Sequence, residues 1–219
     1  NADMDLDTLA NRLQDIRDVP YQILLHGIPG TGKSAFIRNL AERLGLPIHI
    51  KRTSDLLSKW VGESEQNIAR AFDAAASDGA LLVFDEVDSL LYDRKDAKNT
   101  WEVTQINEFL AAMDSHPAPV AATTNMLNRL DPAALRRFSF KVRLDALDAP
   151  RLAIAFRSFF NLEAPAELGH LRGLTAGDFS VVRKKALCMG EIGDVAALVR
   201  YLEAEVSGKP DAGVRTGFI

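Results

Sequence analysis

The chain has 219 residues, 26 basic against 30 acidic side chains, a net charge of −4 and 47% hydrophobic residues. That length suits one or two domains with a proper core, and the charge balance gives no general attraction to nucleic acid, leaving only a local basic patch as a route to it. A single cysteine, Cys188, excludes an internal disulfide, and no apolar run is long enough to cross a bilayer. Cys188 lies in an apolar helical stretch, so a buried, inert thiol is expected, in a reducing, cytoplasmic setting. No secretory signal opens the chain, and Asn1-Ala2 in place of an initiator Met reads as a processing scar or the start of a fragment.

Residues 3–19 are charged, with Leu6, Leu9, Leu13 and Ile16 at helical spacing, which predicts a short amphipathic helix ending before Pro20. Tyr21 to His26 reads as a buried strand, and Ala35 to Leu44 as a helix closed by Gly45. A second strand is expected at Pro47–Lys51, then a short helix from Ser54 capped by Ser54 or Thr53. A longer helix through Ile68, Phe72 and Ala75 should stop near Gly79. Ala80 to Phe84 is an apolar run of strand length, the mark of a parallel strand buried on both faces. Residues 92–100 are polar loop, 101–113 helical, 120–124 a fourth strand and 140–144 a fifth.

Beyond Pro150 the strand signals cease, and helical patterns cover 151–160, 167–173, 178–190 and 194–207. The expected division is an N-terminal helix and linker over 1–19, an α/β nucleotide-binding part over 20–146, a helical part over 147–207 and a tail over 208–219.

Between the first strand and its helix stand Gly27, Ile28, Pro29, Gly30, Thr31, Gly32, Lys33 and Ser34, the pattern G-x-x-x-x-G-K-S. Glycines let the backbone wrap a polyphosphate with its N–H groups turned inward, and the following helix N-terminus adds favourable partial charge. Lys33 would supply a point charge to the β- and γ-phosphates and Ser34 a hydroxyl to Mg²⁺. Asp85, ending the apolar strand, can hold the Mg²⁺ shell, through water in this reading. Glu86 beside it can orient and deprotonate a water, which favours hydrolysis over transfer to another acceptor. Asn125 ends a further central strand, where a ligand crevice opens in parallel sheets. Arg136-Arg137 taken alone reads as a solvated basic pair. His49, His116 and His170 lack partners at metal-ligand spacing.

Together these stretches resemble the AAA+ ATPases, in particular the subgroup that contains spastin, katanin and the proteasomal ATPases. Gly27–Ser34 matches Walker A, and Leu81 to Glu86 matches Walker B. Val87 to Arg94 is similar to the subgroup's run after Walker B, and Ala121 to Asn125 to its sensor-1 strand. Leu130 to Phe138 resembles the segment that carries arginine fingers, which changes the reading of Arg136-Arg137. The resemblance implies a P-loop α/β fold whose five-stranded parallel sheet has the order 5-1-4-3-2, with a small helical lid.

It implies ATP and Mg²⁺ as ligands, ADP as product, fingers acting in trans and a ring, in this family a hexamer. Lys59-Trp60-Val61-Gly62 resembles the pore loop that grips protein substrates, and residues 93–99 a second such loop. Gly177, in a Thr175-Ala176-Gly177-Asp178 helix start similar to the subgroup's S-G-A-D, is expected near adenine or ribose. Arg52 stands near the place where many relatives carry an Asn that restrains the catalytic Glu. The expected function is ATP-driven remodelling or threading of a protein substrate or adaptor-bound client. A nucleic-acid remodeller or loader, and a nucleotide-regulated assembly switch, are the alternatives.

Overall fold

The computed structural model describes residues 2–16, 19–58, 60, 62–96 and 99–209. They form two compact units, one of residues 2–27 and 33–144, the other of residues 28–32 and 145–209.

The first unit is built on five parallel strands: β1 (Gln22–Gly27), β2 (Ile48–Arg52), β3 (Leu81–Asp85), β4 (Val120–Thr124) and β5 (Phe140–Leu144). Their order is β2-β3-β4-β1-β5, the order that the family resemblance implies. β4 is buried at every position and β3 at all but its last residue, as central strands covered on both faces must be. The register pairs Gln22 with Val120 and Ile48 with Leu81, so the strand ends carrying His26, Arg52, Asp85 and Thr124 finish along one edge.

Connecting helices cover the faces: α1 (Leu6–Asp15), α2 (Lys33–Leu44), the single turn α3 (Thr53–Leu56), α4 (Glu63–Asp78), α5 (Thr100–Ser115) and α6 (Pro132–Arg137). On one face Leu9 and Leu13 of α1 and Ile37 and Leu40 of α2 pack with Ile23, Leu25, Val83 and Ala121. On the other, Ile68 and Phe72 of α4 and Ile106 and Phe109 of α5 pack with Leu82, Phe84 and Ala122. The rings of Phe84 and Phe109 meet edge to face with centroids 4.7 Å apart, a contact of about 1 kcal/mol beyond the area buried. Gly27 ends β1 at φ 134°, where a Cβ would lie 1.9 Å from the Leu144 carbonyl oxygen on β5. No side chain fits there, so glycine is what lets the chain turn away between two strands.

The second unit is helical: α7 (Ala149–Phe160), α8 (Ala176–Met189) and α9 (Val195–Ser207), with a 3₁₀ turn at Ala166–His170 where the pattern over 167–173 predicts helix. Leu152, Phe156, Phe160, Phe179, Val182, Leu198 and Leu202 make its core. Cys188 is exposed, against the expectation of a buried thiol. The buried stripe of α8 is Phe179, Val182 and Ala186, and Cys188, two residues on from Ala186, points roughly 200° away around the helix.

Candidate functional site: the strand ends of the sheet

Lys33 opens α2, directly after the glycine-rich turn. The residue is 8% exposed, and its ammonium donates to the Gly27 carbonyl at 2.8 Å and to Asn125 Oδ1 at 2.7 Å. Burial pushes its pKa below the ordinary lysine value, and the carboxylates of Asp85, Asp88 and Glu86 oppose that shift. Ser34 Oγ donates to Asp85 Oδ1 at 3.1 Å. The same carboxylate oxygen accepts from Thr123 Oγ1 at 2.5 Å. Two bonded sets thus start from adjacent residues of α2: Lys33 with Asn125, and Ser34 with Asp85 and Thr123.

Glu86 joins the second set through its backbone. Its N–H donates to Thr123 Oγ1 at 3.0 Å, and its carbonyl accepts from Thr53 Oγ1 at 2.7 Å. The next turn of chain is tied in by Asp88, whose Oδ1 accepts from Thr124 Oγ1 and, at 3.2 Å, from the Met126 N–H. Arg52, opposite Asp85 in the β2–β3 register, lines a cavity of about 380 Å³ with Thr53, Asp85, Glu86, Asp88 and Asn125. From the sequence Thr53 is expected only as a helix cap, and Asp88, Thr123 and Thr124 carry no individual role. The available signal was a pair of threonines ending an apolar strand, since hydroxyls there can reach a neighbouring strand that ends in carboxylates.

The donor set fits a magnesium–nucleotide. Ser34 and Asp85 supply one hydroxyl and one carboxylate, and Mg²⁺ characteristically takes few protein ligands and completes its shell with phosphate oxygens and water. Among the described residues no group of three or more His, Cys, Asp or Glu side chains could hold a metal alone. The glycine-rich turn itself has left-handed backbone at Gly30 (φ 78°) and Gly32 (φ 94°), the kind of backbone from which anion-binding N–H concavities are built. Within that turn Thr31 Oγ1 donates to the Ile28 carbonyl at 2.9 Å, and Ile28 is 44% exposed.

In the helical unit Gly177 lies against the glycine-rich turn, which belongs to the same compact unit. Its N–H donates to the Gly30 carbonyl at 2.8 Å, and a Cβ on it would lie 2.9 Å from Gly30 Cα. Thr175 and Asp178 cap α8 reciprocally, with the Thr175 N–H 2.6 Å from the Asp178 carboxylate.

Arg136 and Arg137 end α6, and among the described residues neither bonds to the group around Lys33. Arg137 is held by Asp114, with Nε 2.9 Å from Oδ2, and by the Ala133 carbonyl at 3.0 Å. Arg136 is exposed. Trp60 is 77% exposed, and its backbone N–H donates to Ser58 Oγ at 3.2 Å. Gly62 follows at φ 84° and caps the start of α4. Lys59 and Val61 of that loop lie outside the described residues, as do Ala97 and Lys98 of the second.

Residues 23–146 match the family model described as "ATPase family associated with various cellular activities (AAA)". The vacuolar protein sorting-associated protein 4 of Dictyostelium discoideum is 29% identical over 211 residues, 90% of this chain and 47% of its own length. Fidgetin-like protein 1 of Drosophila melanogaster is 36% identical over 130 residues, 56% of this chain and 25% of that protein. Protein SAV of Sulfolobus acidocaldarius is 30% identical over 185 residues, 77% of this chain and 24% of that protein. The chain thus spans less than half the length of each of these relatives. Among the described residues no helix is long and apolar enough to cross a membrane. With more than half of its length matched by the family model, and a P-loop and an Asp-Glu strand end bonded together at one sheet edge, the chain belongs to the AAA family of ATPases.

Proposed function

We propose that this chain is the engine of a ring, hexameric as in the family it belongs to, that hydrolyses ATP to remodel or thread a protein client in the cytoplasm. The observation that carries the catalytic part is the group Lys33–Asn125 and Ser34–Asp85–Thr123, with Glu86 beside it. Lys33 neutralises charge on the β- and γ-phosphates, and Ser34 and Asp85 hold Mg²⁺, which when bound offsets the charge that develops on the leaving group. Asn125, with its Oδ1 on Lys33, has its amide N–H groups to offer the attacking water or the terminal phosphate. Glu86 takes the proton from that water.

The arginine of α6 acts on the nucleotide of a neighbouring protomer, where a cation stabilises the transition state. That assignment draws on the exposure of Arg136 and on its lack of any hydrogen bond or ion pair among the described residues. Trp60 supports the choice of a protein client. A large indole 77% exposed on a loop beside a left-handed Gly62 makes no aromatic or cation–π contact among the described residues, and its area suits an extended peptide read without regard to sequence.

The decisive experiment is Glu86→Gln. ATP binding persists and turnover falls by about 10²–10⁴-fold, the range of a lost general base. The same variant, full length and in ATP, retains a protein client on pull-down. Turnover at the wild-type rate removes Glu86 as the base. Recovery of nucleic acid alone favours the loader alternative, and recovery of neither class favours an assembly switch.

A further inference from the structure

Among the described residues only Glu86 and Asn161 are non-glycine with positive φ. Asn161 closes α7, where asparagine is at home in the left-handed region. Glu86, at φ 59° and ψ 59°, has no such local reason, and a glutamate side chain does nothing to ease that conformation. Something outside the residue must hold it there.

Two threonine hydroxyls do. Thr53 follows β2, Thr123 lies on β4, and β3, which delivers Glu86, runs between those strands. Thr53 Oγ1 donates to the Glu86 carbonyl at 2.7 Å, and Thr123 Oγ1 accepts the Glu86 N–H at 3.0 Å. The hydroxyl-bearing residues are 5% and 1% exposed, so water competes little for either bond. The Glu86 side chain is exposed, and its carboxylate makes no hydrogen bond or ion pair among the described residues. The backbone is pinned on both sides while the carboxylate is left to meet something from solution.

We propose that Thr53 and Thr123 are positioning residues, a pair of hydroxyls that locks the Glu86 backbone left-handed and so presents its carboxylate to the attacking water. This rests on the reading of Glu86 as the water-activating group. The two hydroxyls differ in reach. Thr123 Oγ1 also donates to Asp85 Oδ1 at 2.5 Å, so one hydroxyl orients both the metal-holding carboxylate and the base. Among the described residues Thr53 Oγ1 has only the Glu86 carbonyl as its partner. Thr53→Val, which keeps the shape and removes the hydroxyl, therefore isolates the effect on Glu86.

The test is steady-state ATPase and nucleotide affinity of the full chain for Thr53→Val, Thr53→Ser and Glu86→Gln. Thr53→Val should lower kcat by about 100-fold, the scale of a misplaced catalytic group, with KM and ATP affinity unchanged. Thr53→Ser, which keeps the hydroxyl, should recover most of that loss. An unchanged kcat in Thr53→Val, a raised KM with kcat kept, or a Thr53→Ser variant as slow as Thr53→Val overturns the proposal. If Glu86→Gln turns over like wild type, the reading of Glu86 falls and the proposal with it. If Glu86→Gln is dead and Thr53→Val is normal, the positioning role alone falls. Should Thr53→Val fail to fold, backbone chemical shifts of Glu86 in the wild-type chain decide. Left-handed values support the lock, and extended-strand values overturn it.

Discussion

Arg136 and Arg137 are neighbours in sequence, yet their surroundings differ. Arg137 is tied to Asp114 and to the Ala133 carbonyl, while Arg136 is exposed. Arg136→Ala should leave thermal stability unchanged and lower the turnover of assembled rings by about 10³-fold or more, the scale of a lost arginine finger. Rings mixed with subunits that keep Arg136 should regain part of the activity if the residue serves a neighbour. Arg137→Ala should instead cost about 1 kcal/mol of stability, as for a partly exposed ion pair, read from a denaturation midpoint. His116 carries a separate prediction. It is 5% exposed, packs edge to face on Phe72 at 5.2 Å, and its Nε2 has no partner. Burial holds its pKa below 6.5. Below pH 6.5 the unfolded chain therefore binds a proton that the folded chain resists, and stability falls as pH is lowered through that value, by up to about 1.4 kcal/mol per pH unit. His116→Phe should flatten that acid limb, measured by urea midpoints at pH 5 to 7.

At the scale of elements, the stretch after β3 and the start of α6 are fastened together. The Asp93 N–H donates to the Arg129 carbonyl at 2.9 Å, and the Asp131 N–H to the Leu91 carbonyl at 2.8 Å. Asp131, 4% exposed, caps α6 through the N–H groups of Ala133 and Ala134 and pairs with Arg94 at 3.1 Å. One carboxylate thus joins the segment leaving the catalytic strand to the helix that bears Arg136. Asp131→Ala removes the cap and leaves a half-buried guanidinium without its anion, so a loss of about 3–5 kcal/mol is expected, read by chemical denaturation. Pro132 following the cap adds a fixed φ at the first helical turn, which is why so short a helix starts where it does.

For the whole molecule, the function depends on what one chain does to another, and to a client. Trp60→Ala removes an indole that is 77% exposed, so folding stability should change by no more than about 0.5 kcal/mol and basal ATPase should persist. Client unfolding should fail. Unfolding at the normal rate by this variant would remove the pore role from Trp60 and leave the ATPase intact. In the proposed ring the contacts are head to tail, because a finger on one protomer completes the site of the next, and such contacts close only when the rotation between copies divides a full turn.

The places of the central strands and of the glycine-rich turn were legible in the sequence for a simple reason, while the strand order came from the family resemblance. Apolar runs such as Leu81 to Phe84 must be buried on both faces, and a glycine-rich turn between a strand and a helix has few uses besides holding phosphate. What tertiary structure alone decided were contacts between residues distant in sequence. Thr53, just past β2, and Thr123 on β4 bond the Glu86 backbone, Asp114 claims Arg137 and leaves Arg136, and Cys188 turns outward because the buried stripe of α8 runs through Ala186. Periodicity reports which face of an element is buried. Which hydroxyl or carboxylate waits opposite depends on how strands are ordered and registered side by side, and no local pattern encodes that.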